Sequence, residues 1–138
     1  MNKHQLKFHH LGIACRNIEI CLAFIKKSMN VKEYTDILFD EHQNAYVCLV
    51  ILENGSKIEL ISGEVVESII KKGIFYYHTC YLVADIIIAI EFLKKECNAI
   101  LVSPPKPGKL YDNKLAAFLY TPIGLIELLE DKKIKNSE

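Results

Sequence analysis

The chain of 138 residues is 51% hydrophobic and 25% charged, the balance of a globular protein rather than a disordered or fibrous one. A chain of this length buries roughly 68% of the surface its unfolded form exposes, so it can build a core without disulfides or a structural metal. Lysine plus arginine and aspartate plus glutamate each number 17, for a net charge of zero; that excludes the broad field of a nucleic-acid binder or of a protein drawn to an anionic membrane.

In chain order, the opening Met-Asn-Lys-His-Gln-Leu-Lys lacks the apolar core of a signal peptide, and His4 within it carries no functional expectation. Phe8 to Cys15 is a short, mostly apolar run suited to a buried strand. From Ile18 the apolar residues Ile18, Cys21, Leu22 and Ile25 recur at intervals of three and four, which predicts an amphipathic helix capped by Asn17 and ending near Met29 and Asn30. Three strands are expected next, over about Glu33–Phe39, Ala45–Leu52 and Lys57–Ile61, the last two joined by the hairpin dipeptide Asn54-Gly55. Residues 63–75 form a connection, with a short helix at Val65–Lys72 closed by Gly73.

The pattern then repeats. A strand is expected at Tyr76–Val83 and a helix at Ile86–Cys97 behind the cap Asp85, followed by strands at Ala99–Val102, Leu115–Tyr120 and Leu125–Leu129. The apolar run Ile86 to Ile90 lies between two acidic residues and is far too short to span a membrane. Pro104-Pro105-Lys-Pro107-Gly108 predicts an irregular loop, and Asp131–Glu138 a frayed tail. Five cysteines, at 15, 21, 48, 80 and 97, include no Cys-x-x-Cys pair, and all but Cys97 have an apolar neighbour in sequence; buried reduced thiols in a cytoplasm are the expectation.

The two halves superpose by eye. His10 to Lys27 and His78 to Lys95 share six of eighteen residues without a gap, and the offset of 68 returns when Lys57-Ile-Glu59-Leu-Ile is set on Leu125-Ile-Glu127-Leu-Leu. Such a constant offset marks an internal duplication. The expected fold class is therefore α+β, two tandem βαβββ modules forming a curved mixed sheet, about residues 7–62 and 76–130 of a single domain. Each half sets a histidine 49 residues before a glutamate. A carboxylate between apolar neighbours on a buried strand is costly unless it is paired or bound to a cation. Any one of His10, Glu59, His78 and Glu127 alone would pass for an ordinary half-buried or edge residue. Four in matched register point instead to a mixed N/O ligand set suited to zinc, nickel, cobalt or manganese. His9, on the other side of its strand, reads as structural.

These residues resemble a known family. The paired modules, the opening Phe8-His-His10-Leu-Gly-Ile-Ala, the second Tyr77-His78-Thr-Cys-Tyr-Leu-Val-Ala-Asp-Ile86 and the closing Ala117-Phe-Leu-Tyr-Thr-Pro-Ile-Gly-Leu-Ile-Glu127-Leu are similar to the vicinal oxygen chelate superfamily over about residues 7–130. The nearest look is to its methylmalonyl-CoA epimerase branch, with bacterial glyoxalase I beside it. The resemblance implies one divalent ion held in a concave cup by His10, Glu59, His78 and Glu127. It implies an isomerase or lyase that works through an enediolate by removing a proton α to a carbonyl, with Glu127 as ligand and base. In the epimerases a catalytic glutamate precedes a Gln-Gly pair; setting Gln43-Asn44 on that pair puts His42 at the catalytic position, with Glu41 one residue earlier. The implied substrate is an acyl-CoA thioester, or alternatively a glutathione hemithioacetal as in lactoylglutathione lyase, and the implied assembly is a cytoplasmic homodimer. A different class remains as an alternative: a non-catalytic small-molecule binding protein whose cup is lined by Tyr46, Cys48, Tyr81, Phe118 and Tyr120.

Overall fold

The computed structural model describes residues 5–134. His4 and the last four residues of the expected tail, 135–138, lie outside that range. The chain folds as two compact units: one runs from His10 to Tyr77, and the other joins His78 onward to the N-terminal residues up to His9. Each unit is built around one βαβββ module, as the duplication predicts.

In the first unit, β1 (Lys7–Ala14) leads into α1 (Ile18–Ser28), followed by β2 (Val31–Tyr34), β3 (Leu38–Asp40), β4 (Ala45–Leu52), β5 (Lys57–Ser62) and α2 (Glu64–Lys71). The Asn17 side chain accepts the Ile20 N–H at 3.0 Å, satisfying one of the donors that every helix start leaves over. Lys26 and Lys27 occupy the last turn, where the helix dipole favours cations. Strands β4 and β5 are antiparallel and β5 runs parallel to β1, a mixed sheet in the order β2-β4-β5-β1. Ile18 and Ile25 of α1 pack with Cys15 on Cys48, Val50 and Leu60. Burying each such aliphatic side chain contributes about 1.5–3 kcal/mol. The Asn54-Gly55 hairpin forms, Gly55 taking the positive φ of 90° that its turn requires. Helix α2 ends in a paired motif: the Gly73 N–H donates to Ile70 O and the Ile74 N–H to Ile69 O, with Gly73 at φ 78°.

The second unit repeats this plan with β6 (Tyr76–Val83), α3 (Ile86–Glu96), β7 (Ile100–Gly108), a single 3₁₀ turn at Lys109–Tyr111, β8 (Lys114–Thr121) and β9 (Gly124–Glu130), in the order β6-β9-β8-β7. Asp85 accepts the N–H groups of both Ile87 and Ile88, and Glu130 accepts that of Ile86 at 3.0 Å. Ile86, Ala89, Ile90 and Leu93 close over Leu119, Ile126 and Leu128. The N-terminal residues belong here: Leu6 packs against this core, and the Phe8 ring meets Tyr81 edge-on at 5.8 Å.

Two expectations fail. The strand expected over Glu33–Phe39 is two strands, β2 and β3, separated at Thr35–Ile37. Thr35 takes over the ladder at the break: its N–H donates to Leu49 O at 2.9 Å and its hydroxyl accepts the Leu49 N–H at 3.0 Å. The irregular loop expected at Pro104–Gly108 is part of β7. This strand pairs on one side only, with β8, and its register slips between Leu101 and Ser103 and again between Ser103 and Lys106. An edge strand with bulges tolerates residues that lack an N–H.

Candidate functional site

Strand register positions each histidine against its glutamate, and it does so identically in the two units. On β1 and β5, Gly12 is the partner of Glu59, and His10 stands two residues before Gly12. On β6 and β9, Cys80 is the partner of Glu127, and His78 stands two residues before Cys80. Because side chains alternate along a strand, a shift of two residues keeps the histidine on the glutamate's face. Nε2 of His10 lies 2.9 Å from Oε1 of Glu59, and Nε2 of His78 lies 3.1 Å from Oε1 of Glu127. All four residues are at most 6% exposed.

Each pair sits on the sheet face away from its helix. Across β4 and β5, the pairs Cys48–Leu60 and Val50–Ile58 alternate with Leu49–Glu59 and Val47–Ile61, and Cys48, Val50 and Leu60 are the residues under α1. Likewise Phe118 faces Glu127 across β8 and β9, while Leu119 faces Ile126 toward α3. Phe118 also meets the His78 ring edge-on at 5.3 Å.

The donor set passes a test of fit. Neighbouring ligands of a six-coordinate ion with bonds of about 2.1 Å stand about 3 Å apart, the separation observed within each pair. Imidazole nitrogen with carboxylate oxygen suits borderline divalent ions. Each unit thus carries a His–Glu pair of candidate metal-binding residues, His10 with Glu59 and His78 with Glu127.

The other expected site residues lie elsewhere. Glu41 and His42 are exposed in the turn between β3 and β4. Leu49, the partner of Glu59, is four residues beyond Ala45, where β4 begins, about 13 Å along an extended strand; the structure does not bring either turn residue beside Glu59. That turn is organised by Asp40, a residue the sequence reading passed over. Its buried carboxylate accepts the N–H groups of His42 and Gln43 at 3.0 and 3.2 Å, and the Asp-x-His-Gln spacing is a legible signal for such a turn. The five residues expected to line a common cup divide by strand parity. Phe118 and Tyr120 share the Glu127 face, whereas Cys48 packs beneath α1 and Tyr81 against the core under α3. Tyr46, two residues from Cys48, shares its face and meets Phe39 at 5.0 Å. His9 meets Tyr111 edge-on at 5.6 Å, the structural role expected of it. Among the described residues no helix is long and apolar enough to cross a membrane.

A repeated βαβββ fold with a His–Glu pair in each repeat defines a class, and comparison with known families agrees. Residues 9–118 match the family model of the Glyoxalase/Bleomycin resistance protein/Dioxygenase superfamily. The chain belongs to that superfamily, the vicinal oxygen chelate group. Among solved structures it is similar to methylmalonyl-CoA epimerase from Mycobacterium tuberculosis, at 18% identity and a TM-score of 0.75 over 90% of this chain and 87% of that one. A hypothetical protein from Bacillus halodurans C-125 is similar at 24% identity and a TM-score of 0.71, over 97% and 99% of the two chains. A selenomethionine form of methylmalonyl-CoA epimerase follows at 16% identity and 0.68, over 91% and 97%. At these identities the likeness is one of fold. No curated protein sequence matches the chain.

Proposed function

We propose that the protein holds one divalent ion on His10, Glu59, His78 and Glu127, and that it is a metal-dependent isomerase or lyase acting on a proton α to a carbonyl. The observation that carries this reading is the buried His–Glu contact made twice in one register, at 2.9 and 3.1 Å. A divalent ion, when bound, supplies Lewis-acid stabilisation of the negative charge that develops on a carbonyl oxygen. The histidines anchor and orient. Glu127, a carboxylate sheltered from water beside the edge of Phe118, takes or returns the proton. The first substrate class is an acyl-CoA thioester turned over as in methylmalonyl-CoA epimerase, which needs a second acid or base on the opposite face, and His42 or Glu41 fills that role. A histidine exchanges protons readily near neutral pH.

The exposure of Glu41 and His42 in their turn favours a second reading, a lactoylglutathione lyase-like reaction on a glutathione hemithioacetal. There the two buried carboxylates, Glu59 and Glu127, share the proton transfers and no turn residue is needed. In either case the protein works as a cytoplasmic homodimer, which sedimentation of the purified chain tests.

The test of the central reading is metal stoichiometry. Elemental analysis and calorimetric titration with nickel, cobalt, zinc and manganese should give one ion per chain, and His78→Ala should abolish it. No binding of any of the four ions defeats the proposal. Deuterium entering C2 of methylmalonyl-CoA, against loss of the methylglyoxal–glutathione adduct, then separates the two substrate classes.

A further inference from the structure

Of the two cysteines in the second unit, Cys97 is exposed and Cys80 is completely buried. Cys80 stands two residues after His78 on β6 and opposite Glu127 on β9, so alternation turns it to the face away from α3. There it packs with Ala116 and Leu129, and Leu82 and Tyr111 flank them. Tyr111 also meets the ring of His9, a residue of the same unit. One ring nitrogen of His9 lies within 4.8 Å of the Cys80 sulfur. Metal–nitrogen and metal–sulfur bonds of about 2.0 and 2.3 Å together reach about 4.3 Å when the two donors stand opposite each other. A single ion can therefore bond both with at most a small side-chain shift. His10, the next residue along β1, keeps its Nε2 on Glu59 and is left to that pair.

We propose that His9 and Cys80 form a second metal site, different in chemistry from the His–Glu pairs, which takes the soft monovalent ion copper(I). Softness, donor number and charge each select it. Thiolate sulfur favours copper(I) and zinc, whereas carboxylate oxygen suits harder ions. Zinc asks for four donors, and the aliphatic side chains packed around the sulfur supply none. Copper(I) is satisfied by two. With a neutral imidazole and one thiolate it makes an assembly of zero net charge, which apolar surroundings accept at least cost; a divalent ion would leave one positive charge uncompensated. On binding, the Cys80 S–H bond breaks, the Cu–S and Cu–N bonds form, and the proton leaves to solvent. No electron is transferred. His9 is half-buried and gives the ion its way in from the surface.

The test is an anaerobic titration of the full-length protein with copper(I), kept reduced by ascorbate and held by the chromophoric chelator bicinchoninate. The protein should withdraw one ion per chain, and X-ray absorption should show one sulfur and one nitrogen bound to it. Cys80→Ala, with folding checked by circular dichroism, should abolish the transfer. His9→Phe keeps a ring against Tyr111 and removes only the nitrogen. It should weaken binding at least about 100-fold, the upper end of what loss of an outer partner costs a metal site. Glu59→Gln, which removes a ligand of the divalent ion proposed above, should take up copper(I) like the unaltered chain, so the two metal proposals fail separately. No transfer from the chelator, two sulfurs on the copper, or full binding in Cys80→Ala or His9→Phe would each overturn the proposal.

Discussion

The two units solve one structural problem with different neighbours. In each, a histidine two residues out of register with a glutamate meets it on the face away from the helix. The first pair lies opposite an aliphatic residue, Leu49, and the second opposite an aromatic one, Phe118. The hairpin that sets these residues in place also differs: Leu49 precedes Glu59 by ten positions and Phe118 precedes Glu127 by nine. The two copies therefore share the relation between two parallel strands, while the antiparallel hairpin beside them is one residue shorter between these partners in the second unit and carries a ring there. Neither parallel pair can shift by one residue without turning a charged side chain into the core. A hairpin adjusts in its turn.

The strongest way to break this comparison is to test whether the units contribute equally to chemistry. Glu127→Gln should lower the rate of α-proton exchange by about 10²–10⁴-fold, the usual worth of a positioned acid or base, and Glu59→Gln should lower it less. Equal losses measured by deuterium incorporation would show that the ring beside Glu127 confers no distinct role. Next in size is the ring itself. Phe118→Leu installs the first unit's solution in the second and removes the edge-on contact to His78, so urea unfolding should show a loss of about 0.5–1.5 kcal/mol beyond the change in buried area. Leu49→Phe, the reverse exchange, should recover none of it.

The helix starts differ on a smaller scale. Asp85 accepts two N–H groups and Asn17 one. Replacing Asp85 with alanine should cost about 1 kcal/mol by urea unfolding, and replacing Asn17 less. The last contrast is one of pH. Burial raises the thiols of Cys15 and Cys48, both in the first unit, above the ordinary 9.0. A raised thiol stabilises the folded chain fully below pH 9.0, and that contribution is lost as pH climbs and the unfolded thiols ionise. Thermal unfolding between pH 8 and 10 should show the decline, and Cys15→Ala with Cys48→Ala should flatten it. An unchanged slope would locate the alkaline sensitivity elsewhere.

Most of the element order was legible because local signals agree with the fold: the caps Asn17 and Asp85, the Asn54-Gly55 turn, and Gly73 closing α2 all act within a few residues of themselves. The His–Glu pairs were legible for another reason, since a duplication repeats a relation that no single copy would reveal. Where prediction failed, the deciding partner was distant in sequence. Thr35 splits β2 from β3 through Leu49, and β7 runs through three prolines because only β8 lies beside it.

The residues alone determined that there would be two βαβββ modules and which histidine belongs with which glutamate, because periodicity, capping and a constant offset are written along the chain. Only the tertiary structure decided which side of each sheet a residue occupies. Cys48 and Tyr81 turn toward the helices and Phe118 toward His78. Strand alternation fixes faces relative to one another, but packing of a helix chooses which face becomes the core, and that choice leaves the opposite face to the paired carboxylates and imidazoles.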